Sequence, residues 1–267
     1  MKPFLKWAGN KYKIVSRIKE KLPIGRRLIE PFAGSAAVFL NTDFKTALVA
    51  DANADIITLY KSLQEEGFAF VDYCRGFFTQ ENNKNDAYIQ NRTLFNNTND
   101  QRLRAALFLY LNRHGFNGLC RYNIAGKFNV PFGKYTSPYF PKEEMIYFFN
   151  KCQYTTFFCG DFETTMAMAV PGDVVYCDPP YVPLSSTANF TNYSAGGFNE
   201  TQQIRLKELA IELAKKGIPV LISNHYTPFT AEQYAGADTT VFPVQRFISC
   251  DGKNRNKVDE VLALFTA

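Results

Sequence analysis

Val174-Val175-Tyr176-Cys177-Asp178-Pro179-Pro180-Tyr181 is a short apolar run that closes on a carboxylate and then on two prolines. A run of this length, bounded by a turn signal, reads as a buried strand. The prolines fix φ and remove two backbone donors, so the strand ends in a stiff turn whose carbonyls can accept hydrogen bonds. The same junction of strand and acid occurs twice upstream, where Leu28-Ile29 runs into Glu30 and Ala47-Leu48-Val49-Ala50 into Asp51. In open α/β sheets, ligands bind beyond the carboxyl ends of the strands. Three acids at three such ends predict an α/β fold with one shared pocket.

Working outward, Asn199 and Gln202 have capping-box spacing, the segment from Glu200 to Lys216 is amphipathic, and Gly217 fits the position just past a helix end. Pro219-Val220-Leu221-Ile222-Ser223 reads as the next strand, with Thr239 to Val244 and Val261 to Phe265 as two more. From Asp55 to roughly Phe140 the pattern changes to long helical periodicity, an Asn-rich stretch read as polar loop, and a segment punctuated by Gly and Asn. This predicts a catalytic domain built from residues 1–54 and 141–267, with an inserted subdomain at 55–140, mainly helical and carrying a β-hairpin.

With 267 residues, 46% of them hydrophobic, the chain can bury one sizeable core and a smaller subdomain. Ala105 to Leu111, the longest apolar stretch, is far short of the ~20 residues that a membrane helix needs. A cytoplasmic protein is expected, monomeric and without a membrane. Six cysteines (Cys74, Cys120, Cys152, Cys159, Cys177, Cys250) form no C-x-x-C pair and only two histidines are present, which argues against a zinc site or a disulfide framework, so no metal is expected. The net charge of +5 suits a polyanion but also many ordinary enzymes.

The Asp178 carboxylate and the Pro179 carbonyl would accept the two N–H groups of an exocyclic amine, Pro180 would stiffen the turn, and Tyr181 would stack on a base. The bland alternative is a rigid surface turn. Phe32-Ala33-Gly34-Ser35 would let a ligand approach backbone at Gly34. Asp51, at the next strand end, fits an acceptor for ribose hydroxyls or, more plainly, a helix N-cap. Lys6-Trp7-Ala8-Gly9-Asn10-Lys11 could take a carboxylate or phosphate, or be a solvated basic leader. Asn112 to Asn123 mixes Arg, Asn, Gly and aromatics in a pattern that suits a base-reading hairpin. His114 within it reads as structural.

Taken together, Lys6 to Lys11, Glu30-Pro31-Phe32-Ala33-Gly34, Asp51, Asn112 to Asn123, Phe128-Asn129-Val130-Pro131-Phe132-Gly133, Asp178-Pro179-Pro180-Tyr181 and Thr187-Ala188-Asn189-Phe190 make the chain resemble the Dam-type DNA adenine-N6 methyltransferases over nearly its whole length. Asn10 stands where the most familiar form of the first motif has glycine. The resemblance implies a Rossmann-like S-adenosylmethionine-dependent enzyme, bacterial or phage-encoded, that flips adenine out of GATC in double-stranded DNA. It implies cofactor contacts from Trp7, Lys11, Phe32, Gly34, Asp51 and Asp178, with Asp161 and Phe162 flanking the cofactor adenine. Arg121 matches the arginine that reads guanine, Leu119 and Pro131 lie beside the outer base pairs, and Phe116 stands at an intercalating position. Lys6, Arg92, Asn117 and Tyr135 complete the expected DNA-binding set. Methylation of cytosine N4, RNA adenine or a glutamine side chain uses the same turn chemistry, and a DNA-binding module without catalysis is the rival from another class.

Overall fold

The computed structural model describes residues 1–181, 198–245 and 257–267. The expected Thr187-Ala188-Asn189-Phe190 match and Cys250 lie outside the described residues. In chain order the elements are α1 (Val15–Lys21), β1 (Arg27–Glu30), α2 (Ala37–Asn41), β2 (Thr46–Asp51), α3 (Ala54–Glu66), α4 (Phe68–Arg75), α5 (Asn85–Asn97), α6 (Gln101–His114), α7 (Lys142–Lys151), β3 (Thr155–Cys159), α8 (Phe162–Ala167), β4 (Asp173–Cys177), α9 (Glu200–Lys215), β5 (Val220–His225), α10 (Pro228–Gln233), β6 (Asp238–Gln245) and β7 (Lys257–Phe265).

The strand order is β3-β2-β1-β4-β5-β7-β6. β1 runs parallel to both β2 and β4, β4 is parallel to β5, and β7 is antiparallel to β5 and β6. The fold is a Rossmann-like α/β sheet. The order turns around between β1 and β4, which makes their carboxyl ends the switch point where such sheets take ligands. All three expected junctions are present, with Glu30 and Asp51 closing β1 and β2 and Asp178 following β4.

Contacts divide the chain into two compact units. One holds residues 14–33, 43–50 and 160–267. Every residue of β4 and β5 is buried there, as expected of strands covered on both faces. Truncating one of these side chains, Leu221 for example, would cost about 2–5 kcal/mol. Asn199 and Gln202 form a full capping box on α9. At the other end Gly217, at φ +74°, donates to Ala214 and Ile218 donates to Leu213, so two of the carbonyls left free in the last turn are satisfied.

The other unit holds residues 1–13, 34–42 and 51–159. Here two expectations need correction. The Asn-rich stretch is largely helix α5, because Tyr88 and Phe95, two turns apart on one face, are both fully buried. The hairpin is also shorter than expected. Asn112 to His114 form the buried last turn of α6, residues 116–118 a single 3-10 turn, and only the bridges Gly115–Phe132 and Tyr122–Phe128 are antiparallel pairs. No helix is long and apolar enough to cross a membrane among the described residues.

Candidate active site

In the unit built on β4 and β5, the turn after β4 is gripped from two sides. Asp178 is half-buried, and its Oδ1 accepts a hydrogen bond from Ser223 Oγ at 3.1 Å. Gln203, buried on α9, donates from Nε2 to the Pro180 carbonyl at 2.8 Å, and Asn224 Nδ2 in turn donates to Gln203 Oε1 at 3.0 Å. The Tyr181 ring meets His225 edge to face at 4.1 Å between centroids. Burial, followed by the Asp178 and Glu260 carboxylates, pushes the Tyr181 hydroxyl well above the ordinary tyrosine range, so it stays protonated.

The same unit gathers three phenylalanines. Phe32 and Phe162 stack at 5.6 Å with 22° between planes, and Phe198 stands edge-on to both at 5.5 Å. Asp161 precedes this cluster as the N-cap of α8, accepting from Thr164 N–H at 2.7 Å.

In the other unit, Gly34 has φ +46°, and a Cβ there would come within 2.6 Å of the Trp7 indole nitrogen. The left-handed conformation and the close indole both require glycine. Asp51 Oδ2 accepts the Gly34 N–H at 2.9 Å, and Oδ1 accepts the Asn53 N–H at 2.9 Å. Each oxygen keeps a second lone pair for a hydroxyl donor. Asn53 itself caps α3, so Asp51 is not the N-cap. Burial raises the Asp51 pKa, against the pull of those two backbone donors. Asn10, the departure from the familiar motif, accepts the Tyr12 N–H at 2.7 Å, while Gly9 takes the positive φ of the preceding turn. Lys11 is buried, with Nζ 2.7 Å from the Gly9 carbonyl.

The segment expected to read the target lies in this unit as well. Phe116, Asn117, Arg121 and Pro131 are exposed, Leu119 half-buried. Arg121 is braced from its own hairpin, donating to the Asn129 side chain at 2.8 Å and to its carbonyl at 3.2 Å. Lys6 Nζ sits 4.0 Å over the Tyr135 ring, and burial, then Arg113 and Lys2, lowers its pKa. Arg92 donates through NH1 to the Val130 carbonyl at 2.9 Å, beside the Tyr88 hydroxyl, which reaches the same oxygen at 3.0 Å. Part of the Arg92 guanidinium therefore supports the segment from within.

Residues 7–248 match the D12 class N6 adenine-specific DNA methyltransferases. The chain belongs to that family. It is 50% identical over 264 residues to the DNA adenine methylase of Vibrio cholerae, covering 98% of this chain and 95% of the relative. The Salmonella typhi and Escherichia coli K12 DNA adenine methylases are 51% and 50% identical over 262 residues, each with 98% and 94% coverage. Among solved structures, an rRNA methyltransferase from Streptomyces viridochromogenes aligns over 99% of this chain and 90% of its own at 10% identity, with a TM-score of 0.40.

This adenine-specific DNA methyltransferase thus acts on DNA at adenine N6. Several of its supporting residues carry little signal in sequence. Ser223, Asn224 and Gln203 behind the turn, and Phe198 in the aromatic cluster, are of this kind. So is Asn96, which clamps Phe128 by accepting its N–H at 2.8 Å and donating to its carbonyl at 3.0 Å. A polar residue within a buried strand, as at Ser223 and Asn224, is the one clue that could have found the first pair.

Proposed function

We propose that the enzyme transfers a methyl group from S-adenosylmethionine to N6 of adenine within GATC in double-stranded DNA, acting as a cytoplasmic monomer on a base flipped out of the helix. The observation that carries the reading is Asp178 at the end of β4, held on Ser223 in a rigid proline turn. Flipping is required because a paired and stacked amine cannot meet an in-line methyl donor. In this reading residues 1–54 and 141–267 perform transfer and 55–140 recognise the target.

When bound, S-adenosylmethionine supplies a methyl activated by its sulfonium. Phe32 and Phe162 would take its adenine with Asp161 nearby, Asp51 its ribose hydroxyls, and Trp7, Gly34 and Lys11 the rest. The glycine held open against Trp7 and the two spare lone pairs of Asp51 fit that cargo. Asp178 and the Pro179 carbonyl accept the two N–H bonds of the target amine, which turns its lone pair toward the methyl. The nitrogen–carbon bond forms as the sulfur–carbon bond breaks, and the nitrogen then releases its extra proton to Asp178 or to water. Pro180 keeps the turn rigid and Tyr181 faces the base. On the DNA side, Arg121 reads guanine, Phe116 wedges between base steps, and Lys6, Arg92, Asn117, Leu119, Pro131 and Tyr135 line the contact.

The test is transfer of labelled methyl from S-adenosylmethionine to a duplex carrying one GATC and to duplexes altered at single positions. Label in the GATC duplex alone, lost when its adenines are already N6-methylated, supports the reading. Equal label in all duplexes, or label on cytosine, contradicts it.

A further inference from the structure

Val220-Leu221-Ile222 is an apolar run inside a buried strand, yet it is followed by Ser223 and Asn224, both fully buried. A buried hydroxyl is costly unless it is hydrogen-bonded, so Ser223 calls for a reason. Its oxygen lies 3.1 Å from Asp178 Oδ1, 2.9 Å from the Tyr176 hydroxyl and 3.4 Å from the Cys177 carbonyl. β4 and β5 pair Tyr176 with Leu221 and Cys177 with Ile222, so the next step of the register sets Ser223 beside Asp178.

We propose that Tyr176 and Ser223 are positioning residues that hold the Asp178 carboxylate in its reactive orientation through a directed chain, Tyr176 O–H to Ser223 Oγ and Ser223 O–H to Asp178 Oδ1. The inference rests on the reading of Asp178 as the group that accepts the target amine.

The direction follows from proton counting. An ionised carboxylate only accepts, and Ser223 has one proton to give. If Ser223 donates to Asp178, it must accept from Tyr176. Tyr176 keeps its proton because burial, and then the Asp178 carboxylate, pushes its pKa well above the ordinary range. A donor on Oδ1 favours the ionised form and fixes the plane of the carboxylate. Tyr176 touches no reacting atom in this scheme and acts through Ser223 alone.

The experiment is single-turnover and steady-state methyl transfer to a GATC duplex by wild type, Ser223→Ala, Tyr176→Phe, the double variant, Ser223→Thr and Asp178→Ala, with thermal melts of each. Ser223→Ala should lower the transfer rate about 10- to 100-fold, and Tyr176→Phe about 3- to 10-fold. KM for DNA and for S-adenosylmethionine should stay within about twofold. The double variant should be no slower than Ser223→Ala, because Tyr176 has nothing left to act through. Ser223→Thr keeps the hydroxyl and should recover most of the loss. If folded Ser223→Ala transfers at the wild-type rate, if the two losses multiply, or if KM rises while kcat holds, the chain is not a positioning device. Should Ser223→Ala fail to fold, Tyr176→Phe decides: a wild-type rate overturns the inference, and a lower rate with unchanged KM supports it. Full turnover by Asp178→Ala would instead overturn the underlying reading of the carboxylate.

Discussion

At the scale of single residues, Asp178 and His114 do different work. In the proposed mechanism Asp178 accepts the target amine and takes no part in duplex contact, so Asp178→Ala should abolish transfer and leave DNA binding nearly intact. One such charge-assisted contact supplies at least ~100-fold in rate. Single-turnover transfer beside a mobility-shift titration checks this, and a variant that loses both together would assign Asp178 to binding instead. His114 has a structural role with its own pH signature. Its Nδ1 lies 2.9 Å from the Tyr110 carbonyl, and burial, opposed by that bond, lowers its pKa from 6.5 to about 4. The folded value is below the unfolded one, so the stability it confers is complete above pH 6.5 and is lost as pH falls toward 4. The loss is on the order of 3 kcal/mol. Urea unfolding at about pH 7 and about pH 4.5 should show wild type losing about 2 kcal/mol more than His114→Asn, and parallel losses would refute the assignment.

At the scale of elements, the recognition segment depends on α5 more than on its own pairing. Two isolated bridges make a weak ribbon, but Asn96, Tyr88 and Arg92 hold Phe128 and Val130 from the helix. A hairpin braced this way can present Arg121 in a fixed orientation. Arg121→Ala should therefore relax discrimination at one guanine by roughly 5- to 150-fold, the cost of a lost bidentate base contact, while a phosphate contact would weaken binding to every sequence. Transfer rates on GATC and on duplexes changed at one position, at fixed salt, separate the two. The braces also show what sequence could and could not reveal. The acid junctions after β1, β2 and β4, and the Asn199 and Gly217 caps of α9, were legible because each signal is local. The grip of Asn96 on Phe128 spans 32 residues, and that of Ser223 on Asp178 spans 45, so neither has a local pattern. The helix α5 was obscured because asparagine disfavours helix interiors, and burial of Tyr88 and Phe95 outweighs that preference. β3 went unread although Thr155-Thr156-Phe157-Phe158 is β-branched and aromatic, the composition strands favour.

At the scale of the whole molecule, a net charge of +5 assists binding to DNA without selecting a sequence. In the proposed reading selectivity comes from the recognition segment, and chemistry from the turn after β4. The most direct test of that account is to incubate unmethylated plasmid with the purified protein and S-adenosylmethionine and to map every modified base. The account predicts N6-methyladenine at GATC sites on both strands, with other adenines and all cytosines unmodified. Methylation spread over adenines regardless of sequence, methyl groups on cytosine, or an unmodified plasmid from folded protein would contradict it.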